Sequence, residues 1–121
     1  ANVAILGLTF KENCPDIRNS KVYDIIKQLR TYGIEPFVVD PWADKDDVYI
    51  EYGIKIYSIN EIKNADCIIV AVAHKQFIEN RIENIEKIFG KYQGHKKVLI
   101  DVKGIYDIDF LKQSNIYWWR L

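Results

Sequence analysis

The chain has no methionine, only two cysteines and three prolines, and no net charge, and each shortage excludes something. Two cysteines, Cys14 and Cys67, are too few for a disulfide framework and fit reduced thiols. Two separated histidines, His74 and His95, with no cysteine cluster give a metal site no support. Lysine plus arginine and aspartate plus glutamate balance at 17 each, whereas a nucleic-acid binder carries a basic excess. No apolar run approaches the roughly 20 residues needed to span a bilayer, and no basic leader or cleavage site precedes the first apolar run. These exclusions predict a cytoplasmic α/β domain that contacts neither membrane nor nucleic acid. Because methionine is absent and strand-like sequence starts at Val3, the chain is expected to be a fragment of a longer protein.

What is present is apolar sequence in short blocks, 49% of 121 residues, enough for one domain with a core. Asn2 to Leu8 is a continuous apolar run, the pattern of a strand buried on both faces of a parallel sheet. Asn19 or Ser20 is placed to N-cap a helix whose apolar positions are Val22, Ile25, Ile26 and Leu29, with Gly33 at its end. Phe37–Val39 reads as a second strand stopped by Asp40-Pro41, and Ile54–Ile56 as a short third. Ser58 caps a short helix to Asn64, and Asp66 to Ala73 is a fourth strand. A helix follows, beginning near Gln76 or Ile82 and ending at Phe89. Val98–Asp101 is a fifth strand and Ile116–Trp118 an edge strand. This alternation predicts an α/β fold of three layers, a doubly wound, mainly parallel sheet of five or six strands, Rossmann-like.

In such sheets ligands bind outside the carboxyl ends of the strands. Three loops follow apolar strands there: Thr9 to Arg18, Ala73 to Gln76, and Asp101 to Gly104. The first, GLTFKENCPDIRNS from Gly7 to Ser20, has a single glycine. It is neither a G-x-G-x-x-G fingerprint nor a phosphate loop ending in G-K-[ST], so a complete dinucleotide site is not expected. It does carry Lys11 and Arg18 ahead of a helix N-terminus, which suits an anion such as phosphate, and Phe10 is placed to stack or to wall a pocket. The alternative is that Lys11 is solvated and Arg18 pairs with Asp16 to brace the loop.

Gly7-Leu8-Thr9-Phe10-Lys11 with Asp16, Arg18 and Ser20 resembles the opening of the UDP-binding C-terminal domain of the UDP-glucose/GDP-mannose dehydrogenase family. Asp40-Pro41, Ala71-Val72 with His74 and Phe77, and Asp101-x-Lys103 follow in the order of that family, so the resemblance covers nearly the whole chain. FKENCPDIRNSK and DPWAD look most like the branch acting on UDP-N-acetylhexosamines for surface polysaccharide. The resemblance implies an NAD-dependent enzyme that oxidises the C6 hydroxymethyl of a nucleotide sugar to a carboxylate. Its NAD-binding domain and its central domain, which holds the catalytic cysteine, precede this one. The fragment would then hold no catalytic residue and be inactive alone, within an enzyme that is a homo-oligomer at full length. Phe10 and Lys11 would contact the UDP-sugar, Arg18 would reach the NAD bound by the other domain, and Lys103 would contact the substrate. Asp101-Val102-Lys103-Gly104 departs from the family's Asp-Gly-Arg-Arg-like turn, and lysine keeps the charge without the bidentate fork of arginine. Lys11 and Lys103, on strand ends read as adjacent, would together face the two phosphates.

Other residues invite a functional reading that the pattern does not favour. Cys14 lies on the ligand loop without a neighbouring histidine, and Cys67 lies in an apolar strand and reads as core. His74 reads as a loop anchor rather than a catalyst, and His95 as a surface turn. Tyr117 to Arg120 reads as an edge strand packing its aromatics on the sheet or on a missing domain, and Asp44–Asp47 as a solvated loop. A receiver-like module would need acidic residues where Phe10-Lys11 stands. The alternative from another class is a non-catalytic, flavodoxin-like binding or assembly module.

Overall fold

A computed structural model describes residues 2–9, 13, 15–18, 20–79, 87–89, 97–113 and 116–120. Five strands, β1 (Val3–Leu6), β2 (Phe37–Val39), β3 (Cys67–Val70), β4 (Lys97–Asp101) and β5 (Ile116–Arg120), form one sheet in the order β2-β1-β3-β4-β5. All four pairings are parallel, as the near-continuous apolar runs predict. Successive side chains point to opposite faces, so each strand feeds two cores. Ala4, Leu6, Ile68, Val70 and Leu99 join one buried cluster, and Val3, Ile5, Val38 and Ile69 join the other.

The first face is covered by α3 (Lys75–Glu79) through Phe77 and by α4 (Ile108–Gln113) through Leu111. The second is covered by α1 (Val22–Thr31) through Val22 and Ile26, and by α2 (Lys45–Tyr52) through Val48. Helix, sheet and helix make the three expected layers. Among the described residues, no helix is long and apolar enough to cross a membrane.

Four local expectations are corrected. Ile54–Ile56 is not a strand; a single bridge joins Ile56 to Val38 at the sheet's edge. Asp44–Asp47 is not a solvated loop but the start of α2, where the Asp44 carboxylate accepts from the amides of Asp46 and Asp47 at 2.9 and 3.0 Å. That is N-capping by an aspartate, with two more acids in the first turn suiting the helix dipole. Neither Asn19 nor Ser20 caps α1. Lys21 occupies the cap position without a side-chain bond, and Ser20 Oγ instead donates to the Leu8 carbonyl at 2.6 Å. Near Ser58 the chain makes only a 3-10 turn, Ile59–Glu61. The helix expected to end at Phe89 is described only as α3 at its start and a turn at 87–89.

Candidate ligand site at the carboxyl edge of the sheet

The chain leaves β1 toward β2 on one side and later returns to β3 on the other, so the carboxyl ends of β1 and β3 flank the switch point. Gly7 ends β1 with φ of 106°, and its amide donates to the Val39 carbonyl at 2.8 Å. A Cβ there would stand 2.6 Å from Val72 Cβ and 2.8 Å from Val72 N. Glycine is therefore required both by conformation and by the closeness of the two strand ends.

Beyond Gly7 the three loops are bound together by buried polar groups. Asp40 Oδ2 accepts from the amides of Leu8 at 2.7 Å and Thr9 at 2.9 Å, and its Oδ1 from those of Trp42 at 2.8 Å and Ala43 at 3.1 Å. His74, fully buried after β3, places Nε2 3.0 Å from Asp40 Oδ2 and 2.8 Å from Thr9 Oγ1. The Asn13 amide donates to His74 Nδ1 at 2.9 Å, and Asn13 Oδ1 accepts from the Lys75 amide at 2.9 Å. Because Nδ1 accepts, the ring proton of this arrangement sits on Nε2, shared between Asp40 and Thr9. Burial on its own would raise the Asp40 carboxyl. The bonds from His74, Leu8 and Thr9 outweigh it and hold the group below its ordinary value. His74 is thus the loop anchor that the sequence suggested.

This network brackets the ligand loop. Phe10, Lys11 and Cys14 lie outside the described residues, but Thr9 before them and Asn13 among them are fixed by Asp40 and His74. Farther along, Arg18 is 82% exposed and forks onto Asp16, with Nε–Oδ1 at 3.1 Å and Nη2–Oδ2 at 3.2 Å. The brace between Asp16 and Arg18 is therefore present, and it leaves the guanidinium facing solvent. Tyr52 Oη donates to the Ile17 carbonyl, tying the loop to α2.

The turn after β4 is built separately. Buried Asp101 accepts from the amides of Ile105 at 3.1 Å and Tyr106 at 3.0 Å, and Arg120 Nη2 donates to the Gly104 carbonyl at 2.8 Å. Lys103 stands exposed on this turn. Its strand is not adjacent to β1, contrary to the expectation for Lys11 and Lys103; β3 lies between them. Two interstrand steps set the strand ends about 10 Å apart, within reach of two long side chains facing one diphosphate.

A cleft of about 350 Å³ opens on the β2 side, with Lys45, Tyr57, Ser58, Gln76 and Phe77 among its lining residues. Gln76 is held by Trp42 Nε1 at 2.9 Å, and neither Arg18 nor Lys103 lines the cleft. Cys67 on β3 is half-buried, with its thiol raised to about 11 by burial and then by Asp66, which suits an inert thiol. His95 lies outside the described residues.

The sequence profile of the UDP-glucose/GDP-mannose dehydrogenase family, UDP binding domain, matches residues 4–108. The chain belongs to that family. CapL of Staphylococcus aureus is 41% identical over 118 residues, 98% of this chain and 27% of CapL. UDP-N-acetyl-D-glucosamine 6-dehydrogenase of Pseudomonas aeruginosa is 46% identical over 109 residues, 90% of this chain and 25% of that protein. A solved UDP-D-ManNAc dehydrogenase of Pyrococcus horikoshii shares the fold, with a TM-score of 0.67 and 25% identity, over 89% of this chain and 23% of that one. The chain thus spans about a quarter of the length of these relatives. As a UDP binding domain it reads coherently: its loops gather where doubly wound sheets bind ligands.

Sequence reasoning singled out Asp40 and His74 only as points of resemblance and gave Thr9 and Asn13 no individual role. The available signal was a polar residue at the end of each of three apolar strands, which must either meet a ligand or meet one another.

Proposed function

We propose that this chain is the nucleotide-sugar-binding part of an NAD-dependent UDP-sugar 6-dehydrogenase, acting in the cytoplasm on a precursor of surface polysaccharide. The carrying observation is the buried Asp40–His74–Thr9 network, which fixes both ends of the Phe10-Lys11 segment at the switch point. Lys11 supplies a cation to the diphosphate, Phe10 a flat apolar surface to the nucleotide, and Lys103 a second charge from across β3. Binding two phosphates away from water requires donors from more than one loop, and this geometry offers them.

The residues present do not fit a complete NAD site in this domain. In a dinucleotide fold an acid after β2 would meet a ribose hydroxyl. Here Asp40 is saturated by four amides and His74, and Gly7 is packed against Val72. Arg18 alone faces outward, and Asp16 orients it toward an NAD held by the rest of the polypeptide. No group in this chain is assigned to catalysis. The oxidation of the C6 hydroxymethyl, the cysteine that carries it and the contacts of the homo-oligomer belong to the N-terminal and central domains of the full-length enzyme.

Titration calorimetry of the UDP-sugar into the full-length Lys11→Ala enzyme tests the reading. A loss of about 1.5–3 kcal/mol is the scale for a charge-assisted hydrogen bond. Unchanged affinity would remove Lys11 from the site.

A further inference from the structure

Crossover geometry decides which parts of the sheet the chain can cover with its own helices. Connections between parallel neighbours are right-handed, so those running toward β2 and those running toward β5 lie on opposite faces. The observed packing follows this rule. α1 and α2, on the β2 side, supply Val22, Ile26 and Val48 to the second face. The connections into β3, β4 and β5 supply Ile62, Phe77, Ile88, Tyr106 and Leu111 to the first.

The second face of β4 and β5 is therefore left without a covering crossover among the described residues. The alternation along these strands records it. Leu99 and Asp101 of β4 and Ile116 of β5 are buried on the first face. Val98 and Ile100 remain half-exposed on the second, and their register partners Tyr117 and Trp119 are 54% and 56% exposed. Val102 extends the patch. These five side chains are apolar or aromatic and adjoin across two paired strands, without a charge among them. A contiguous surface of this kind marks an interaction site, which a single exposed leucine does not.

We propose that this β4–β5 half-face is where the remainder of the dehydrogenase polypeptide packs onto the UDP binding domain, through an apolar helix or strand face. The inference rests on the proposed function, which places this chain within a longer enzyme. Relatives carry about three times as much additional chain as this domain contains. The occupant is part of the same polypeptide, so its cover is intramolecular and independent of concentration.

Hydroxyl-radical labelling of the long polypeptide tests this, because exposed tyrosines elsewhere provide internal references. Tyr32 and Tyr49, 79% and 66% exposed, lie far along the chain on α1's end and α2. Normalised for intrinsic reactivity, Trp119 should be oxidised at least fivefold more slowly than these two at every protein concentration. Oxidation of Trp119 at the rate of Tyr32 would overturn the proposal, as would protection that fades on dilution, which would assign the face to a second copy. Titrating UDP into the same sample separates the two readings. UDP binding with Trp119 readily oxidised defeats the interface alone, whereas protection of Trp119 without UDP binding defeats the ligand reading alone.

Discussion

Two aspartates end two strands of this sheet, and they do different work. Asp101 closes a local turn, accepting from two amides four and five residues ahead. Asp40 accepts from amides on two loops and from His74 on a third, spanning 34 residues of sequence. Both are buried, yet only one binds distant loops to one another. The difference teaches that a single buried carboxylate can be either a turn element or a keystone. Which it becomes depends on whether its donors come from one loop or from several.

The comparison can be broken in order of expected effect. Gly7→Ala, at the strand end that feeds the Asp40 network, combines left-handed strain with a clash against Val72 and should cost about 3–5 kcal/mol. Chemical denaturation measures that loss, and a cost under 1 kcal/mol would mean that the two strand ends can part. Asp40→Asn turns acceptors toward donors and strands buried amides, for a loss of about 2–4 kcal/mol. Asp101→Asn, with two local donors, should lose only about 1–2 kcal/mol. Equal costs for the two substitutions would erase the distinction between keystone and turn.

The acid limb of stability sharpens the same contrast. The folded Asp40 carboxyl lies below its unfolded value, so its contribution is fully present above about pH 4 and is lost as pH falls through the folded pKa. Asp40→Asn should therefore flatten the dependence of unfolding free energy on pH below about 4. A profile unchanged in slope would show that Asp40 is not the titrating group. The smallest effect belongs beside Asp101. Tyr106 Oη is buried with no hydrogen-bond partner among the described residues, and burial followed by the charge of Asp101 raises its phenol. Tyr106→Phe should be neutral or stabilising by up to about 1 kcal/mol, read as an unchanged or higher melting temperature.

Much of this was legible in the sequence because parallel strands buried on both faces announce themselves as unbroken apolar runs. Val3–Leu6, Cys67–Val70 and Val98–Asp101 are of that kind, and β5 was recognisable from its aromatics. Ile54–Ile56 misled because a short apolar alternation fits an edge position that forms only one bridge to Val38. α2 escaped because its sequence, KDDVYIEY, buries only Val48, and its acidic start resembles a solvated run until the Asp44 cap is seen. The site divided in the same way. Lys103 and Arg18 were readable as loop cations, and the structure leaves both exposed at the edge where ligands bind. The network behind them was not readable, since nothing local to Thr9, Asp40 or His74 shows that residues 31 to 65 positions apart share one proton and one carboxylate.

The central claim is that this network holds the Phe10-Lys11 segment in position for a UDP-sugar, with His74 as a positioning residue. His74→Phe in the full-length enzyme keeps the volume and ring packing against Phe77 while deleting the bonds to Thr9, Asp40 and Asn13. Calorimetric titration with the UDP-sugar, on protein shown to be folded by circular dichroism, should give an affinity at least tenfold weaker than the parent. An affinity equal to the parent's in a folded variant would contradict the account.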